Sequence, residues 1–168
     1  MSLETLFVPE YQLQLASPPA AYRVAMVVSR FNVFVTERLR EGAATYWREV
    51  GLPAENVLTA WVPGAVELPL VAQELARTAQ YQAIVCLGAV IRGETDHYEY
   101  VCRQVSDGCQ RVALAERLPV IFGVLTTETE EQALARAGGN AGHKGRESAQ
   151  AALEMIDLLQ SIRGTGSH

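Results

Sequence analysis

The chain of 168 residues lacks a basic balance, a long apolar run and the familiar nucleotide fingerprints. Its formal net charge is −5. That balance argues against nucleic acid or an anionic membrane as partner, because both call for a positive surface. No apolar stretch approaches the ~20 residues that a membrane helix needs. The N-terminus carries Glu4 and Glu10 without a basic start, so it does not read as a secretory signal, and a cytoplasmic location is expected. There are only three cysteines. Cys86 lies in an apolar run, and the spacing of Cys102 and Cys109 fits no zinc or redox motif, so all three read as free thiols of a reducing compartment. His97, His143 and His168 have no carboxylate or cysteine at ligand spacing, which leaves metal binding unsupported. No GxGxxG occurs, and Lys144 is followed by glycine rather than Ser or Thr, so no Walker loop occurs either.

What is present is an alternation of strand-length apolar runs and helical patterns. Tyr22 to Ser29, Val57 to Val62, Ala83 to Leu87 and Pro119 to Leu125 read as strands. Between them, apolar residues recur at helical spacing. Leu39, Ala43, Tyr46, Trp47 and Val50 mark a first helix, with Thr36 as its expected cap and Gly51 and Pro53 as its stop. Leu70, Val71, Leu75 and Ala79 mark a second, and Val101, Val105, Cys109 and Val112 a third. Thr129 to Gln132 fits a capping box, and Ala149, Ala152, Leu153, Ile156 and Leu159 mark the last helix. Short connections in such an alternation predict an α/β fold, a parallel sheet covered on both faces. Residues 22–162 form that domain. Residues 163–168 read as a loose tail, and residues 1–21 as an arm. Tyr11 to Leu15 alternates like a strand, and Ser17-Pro18-Pro19 holds it away from any hairpin partner. It is expected to add to a neighbouring subunit.

In open parallel sheets ligands sit beyond the carboxyl ends of the strands. Arg30, Phe31 and Asn32, Gly64 to Glu67, Ile91 to His97, and the stretch after Phe122 fall there. Gly93 breaks the third strand, and Thr95 and Asp96 are natural cap residues of the helix that follows. A helix start presents unpaired N–H groups and a dipole that favours an anion. His97 beside it exchanges protons near neutral pH. Phe31 reads equally as an aromatic plate for a flat ring or as core. Glu67 reads equally as an acceptor for hydroxyls or a ring N–H, or as a first-turn carboxylate favoured by the dipole. Arg92 reads as an ion-pair residue. Arg136 and Lys144 flank a glycine-rich bend and suit a phosphate. The residues alone reach a metal-free site for a small phosphate and a flat polar ring.

Four segments carry a resemblance beyond that. Ser29-Arg30-Phe31-Asn32, Gly64 to Pro69, Gly88 to Tyr98 and Phe122 to Glu128, together with Arg136-Ala137-Gly138 and Gly142 to Gly145, resemble the 6,7-dimethyl-8-ribityllumazine synthases, a transferase family of riboflavin biosynthesis. The resemblance runs from about Tyr22 to Leu159. It implies a three-layer flavodoxin-like fold and the condensation of 5-amino-6-(D-ribitylamino)uracil with 3,4-dihydroxy-2-butanone 4-phosphate. No metal or organic cofactor is implied. By position, Phe31 would stack on the pyrimidine with Asn32 beside it. Ala65, Val66 and Glu67 would hold the ring and ribityl chain, and Val90 and Ile91 would add backbone contacts. Gly93, Glu94, Thr95 and Arg136 would hold phosphate, His97 would move protons, and Lys144 would face the ribityl or pyrimidine side. Phe122 and Arg136 would come from a neighbouring subunit. The family implies a homopentamer, with a free pentamer, a pair of them and an icosahedral shell of twelve all compatible, and riboflavin synthase as a candidate partner. Val66, Glu94, Gly139 and His143 depart from the family pattern. The rival readings are a non-catalytic flavin- or lumazine-binding module and a shell-forming protein of the same fold.

Overall fold

A computed structural model describes residues 19–165. The arm strand expected at Tyr11 to Leu15 lies outside them. The first apolar run forms β1 (Val24–Ser29), buried at every position. There follow α1 (Val33–Glu49), β2 (Val57–Val62), α2 (Leu68–Arg77), β3 (Ala83–Ile91), α3 (His97–Glu116) and β4 (Val120–Thr127). The chain ends in α4 (Glu130–Ala135), a small antiparallel pair β5 (Ala137–Gly139) and β6 (Gly142–His143), and α5 (Lys144–Thr165).

The four long strands form one parallel sheet in the order β2-β1-β3-β4. Alternate side chains divide the core in two, as the pleat requires. Val24, Met26, Val28, Val85 and Leu87 pack against Leu39, Ala43 and Trp47 of α1 and Ala149, Leu153 and Ile156 of α5. Ala25, Val27, Ile84, Cys86 and Val124 pack against Leu68 and Ala72 of α2 and Val105, Cys109 and Val112 of α3. This is the expected three-layer α/β architecture. On the α1–α5 side the buried Trp47 indole N–H donates to Ala149 O at 3.0 Å, which satisfies the one polar atom of a large core side chain. Among the described residues no helix is long and apolar enough to cross a membrane.

The chain leaves β1 toward β2 on one side and later returns to β3 on the other. The connections that leave β1 and β3 therefore run to opposite faces of the sheet, and this switch point opens a crevice between them.

Three local expectations need correction. Thr36 does not cap α1; it is buried within the helix, and Asn32 holds the N-cap position in a left-handed conformation with φ 61° and ψ 43°. Ala79 is not on α2, which ends at Arg77; Ala79 turns the chain with φ 58°. The last helix runs to Thr165, into the stretch expected to be a tail, and Arg163 donates to Arg117 O at 2.8 Å, tying that end to the loop after α3. The capping box at Thr129 is present, with Thr129 Oγ1 accepting from Gln132 N and Gln132 Oε1 accepting from Thr129 N.

Candidate active site

A cleft of about 530 Å³ lies at the switch point. Three loops build it. After β1, Arg30 N–H donates to Val62 O at 2.8 Å and Phe31 N–H to Pro63 O at 3.1 Å, so the strand pairing continues into the loop. Asn32 then turns the chain. Its Nδ2 donates to Ala89 O at 2.8 Å, fastening the loop to the end of β3. Phe31 projects from this fixed point and is 70% exposed, which disposes of its core reading. Phe31 lines the cleft beside Pro63 and Gly64.

After β2, a single 3-10 turn over Ala65–Glu67 leads into α2. Glu67 Oε2 accepts from Gly64 N–H at 3.1 Å, the reciprocal half of a capping box. The first-turn position of Glu67 is thus explained by its cap of the turn. One oxygen closes the turn, and the carboxylate still lines the cleft with Ala65 and Val66.

After β3, Val90 and Ile91 reach the cleft wall. Gly93, Glu94 and Thr95 form an exposed bend whose N–H groups have no backbone acceptor among the described residues. Asp96 occupies the N-cap position of α3 without a side-chain cap, while Thr95 Oγ1 accepts from His97 N–H at 3.4 Å. His97 opens α3, is exposed, and lines the same cleft as Gly93 and Thr95. A nest of free amides and an imidazole therefore share one wall.

Arg92 is engaged as an ion-pair residue. Its guanidinium reaches Glu128 at 2.9 Å and Glu99 at 3.7 Å, and lies 4.4 Å from the centre of the Tyr98 ring. The bond to Glu128 raises its already high pKa, so its charge is permanent. Among the described residues no lysine or arginine lines the cleft. Tyr98 and Val101 line it, and sequence reasoning missed them as wall residues. The signal was available: Val101 stands one helical turn after His97. Burial, and then Cys102, push the Tyr98 hydroxyl above its ordinary range, so it stays protonated. The free Cys86 thiol, hydrogen-bonded with Cys109 and buried, is held well above the ordinary thiol range, which leaves it inert.

The remaining candidates stand elsewhere. Arg136 and Lys144 line a second cleft of about 310 Å³ at the carboxyl end of β4, with Thr126, Thr127 and Glu147. Phe122 packs against the α2–α3 core and lines neither cleft. Within one chain the structure thus unites Phe31, Ala65, Val66, Glu67, Val90, Ile91, Gly93, Thr95 and His97, and separates them from Arg136 and Lys144.

Comparison with known proteins identifies the family. The family model described as 6,7-dimethyl-8-ribityllumazine synthase matches residues 21–160. Proteins named 6,7-dimethyl-8-ribityllumazine synthase from two strains of Coxiella burnetii, CbuG_Q212 and RSA 493 / Nine Mile phase I, are each 58% identical over 146 residues, covering 87% of this chain and 97% of the relative. The same figures hold for the relative from the Dugway 5J108-111 strain. The match spans the sheet, all three loops of the cleft and both cationic residues of the second cleft, and on it the chain belongs to the 6,7-dimethyl-8-ribityllumazine synthase family.

Proposed function

We propose that the protein condenses 5-amino-6-(D-ribitylamino)uracil with 3,4-dihydroxy-2-butanone 4-phosphate, giving 6,7-dimethyl-8-ribityllumazine, phosphate and water in riboflavin biosynthesis. The observation that carries this reading is the single cleft that holds an exposed aromatic plate, a half-engaged carboxylate, a run of free amides and an imidazole. Phe31 stacks on the pyrimidine, a contact worth about 1–3 kcal/mol. Glu67 accepts from ribityl hydroxyls or a ring N–H, and Val66 and the backbone of Val90 and Ile91 close on the ring. The amides of Gly93 to Thr95 face the phosphate.

The chemistry asks little of the protein beyond positioning and proton transfer. The amine attacks the ketone and a first water leaves, phosphate is eliminated, and the second amine closes the ring on the remaining carbonyl with loss of a second water. Each step moves a proton, and His97 is placed to give and take it; such help is worth about 10²–10⁴-fold. Aligned amides stabilise the charge that grows on departing phosphate. Holding two reactants in one cleft supplies the rest.

Among the described residues the Phe31 cleft has no lysine or arginine, while Arg136 and Lys144 stand in a second cleft without an aromatic plate. That division supports a site completed by a neighbouring protomer, whose Arg136 would bind phosphate and whose Phe122 would close on the pyrimidine. A cyclic pentamer satisfies this requirement, and twelve pentamers in an icosahedral shell extend it, with riboflavin synthase as the partner that consumes the product. The arm, adding to the open edge of β2, would join protomers. The cytoplasm supplies both substrates. A non-catalytic binding module would have no use for His97 in the cleft wall, which favours the enzyme. Mixing the protein with both substrates and following lumazine absorbance and released phosphate tests the reading; binding of the pyrimidine without phosphate release would replace the enzyme with a binding module.

A further inference from the structure

His143 ends β6 directly before α5, and its imidazole fills a space made by two glycines. A Cβ at Gly42, in the middle of α1, would lie 2.0 Å from its Cε1 and 2.2 Å from its Nε2. A Cβ at Gly138 would lie 3.1 Å from its Cδ2. Glycine inside a helix is unfavourable relative to alanine, so the gap at Gly42 exists in step with the ring that occupies it. The ring also acts on α5. Its Nδ1 accepts from Arg146 N–H at 3.4 Å, three residues on, which is the geometry of a helix N-cap. An imidazole can accept at Nδ1 only when that nitrogen carries no proton.

The residues on either side are the two cations of the second cleft. His143 pairs with Ala137 across the β5–β6 ladder, next to Arg136. Lys144 follows His143, and its N–H donates to Arg136 O at 2.8 Å. Gly145 then packs against the backbone of Leu39, where a Cβ would come within 2.0 Å of the carbonyl oxygen. The spacing of Arg136 and Lys144 is therefore set by how this turn seats on α1, and the imidazole is the wedge in that seat.

We propose that His143 is a positioning residue for the cationic half of the site: neutral, it wedges between Gly42 and Gly138 and caps α5, which fixes Arg136 and Lys144 for phosphate; protonated, it releases them. The inference rests on the proposed function, in that it takes Arg136 to bind the phosphate of the second substrate. Burial lowers the affinity of His143 for a proton, Arg146 lowers it further, and its own backbone and Glu147 oppose. The charged groups that act on the ring both come from α5, whereas α1 and β5 present glycine backbone. The sign follows. A histidine whose folded pKa lies below the unfolded value contributes fully above about pH 6.5, and the contribution is lost as pH falls through the lowered folded value.

The test compares wild type with His143→Ala, which neither caps α5, fills the wedge nor titrates. KM for the butanone phosphate is measured from pH 8 to pH 5.5, together with the dissociation constant for inorganic phosphate by calorimetry. Protonation of the phosphate group affects both proteins equally and cancels in their ratio. At pH 8 the variant should bind phosphate roughly three- to ten-fold more weakly, the range of a lost helix cap. Toward pH 5.5 the ratio should fall toward one, because wild type begins to lose the same contact as His143 takes up a proton. A ratio that stays constant across the range, or equals one throughout, overturns the proposal. Gly42→Ala, which displaces the ring while leaving His143 in place, should reproduce the pH 8 defect; wild-type phosphate binding in that variant also overturns it. If wild type binds phosphate but forms no lumazine, the proposed function fails while the phosphate ratio still decides the role of His143.

Discussion

Replacing Asn32 separates two effects that act at one residue. The side chain donates to Ala89 O at 2.8 Å, and the backbone sits at φ 61°. Asn32→Ala removes the hydrogen bond, at a cost of about 1 kcal/mol. It also puts a Cβ without a compensating polar group in the left-handed region, for another ~1–2 kcal/mol. Asn32→Gly removes the same hydrogen bond and relaxes the backbone, though it adds freedom to the unfolded chain worth about 0.4–1 kcal/mol. Alanine should therefore destabilise by about 2–3 kcal/mol and glycine by about 1 kcal/mol. In urea, with a slope of ~2 kcal/mol/M, the alanine variant should unfold about 1 M below wild type, and the glycine variant should lie between the two. Protein concentration must be held constant, since association would shift all three midpoints. Both variants free the Phe31 loop from β3, so both should raise KM for the pyrimidine more than KM for the phosphate substrate. Equal midpoints for alanine and glycine would refute the backbone-strain argument, and an unchanged pyrimidine KM would refute the role of Asn32 in holding Phe31.

Further predictions concern single contacts. Phe31→Ala should raise the pyrimidine KM by roughly 5- to 150-fold, the equivalent of ~1–3 kcal/mol of stacking; because the ring is exposed, its melting temperature should stay near wild type, and a KM within two-fold of wild type would remove Phe31 from the site. Arg136→Ala should raise KM for the butanone phosphate strongly and leave pyrimidine binding nearly alone, as initial-rate kinetics with each substrate varied will show. Gly123→Ala should lower stability by about 1–3 kcal/mol through overpacking, since the new Cβ would meet Leu87 and Ser148 at 2.7 Å and Cys86 O at 2.9 Å; urea denaturation measures it.

The fold was legible where burial alone decides structure. The run Ala83 to Leu87 is apolar at every position because β3 is covered on both faces, and the helical spacing of Val105, Cys109 and Val112 follows from the face that α3 buries. The start of α1 was not legible. Thr36 has the chemistry of a cap, but the turn is made by Asn32, and what permits its left-handed backbone is a hydrogen bond to a residue 57 positions away. The first cleft could be assembled from strand ends, since Phe31, Glu67 and His97 each follow one. The place of Lys144 could not, because the β5–β6 turn carries it to the end of β4 beside Arg136. His143 was invisible as a cap for a related reason: the space it fills belongs to Gly42, a hundred residues earlier and unremarkable in a helical pattern.

β2 has a strand neighbour on one side only among the described residues, and Leu58 and Trp61 on it are exposed. A bare border of amide and carbonyl groups next to an indole is adhesive, and it invites any extended chain. Newly made protomers therefore face a race between docking the right segment along that border and sticking to one another through it. Soluble yield should therefore fall as protomer concentration rises during refolding, and a segment that covered the border would act as a built-in chaperone before it acted as a joint.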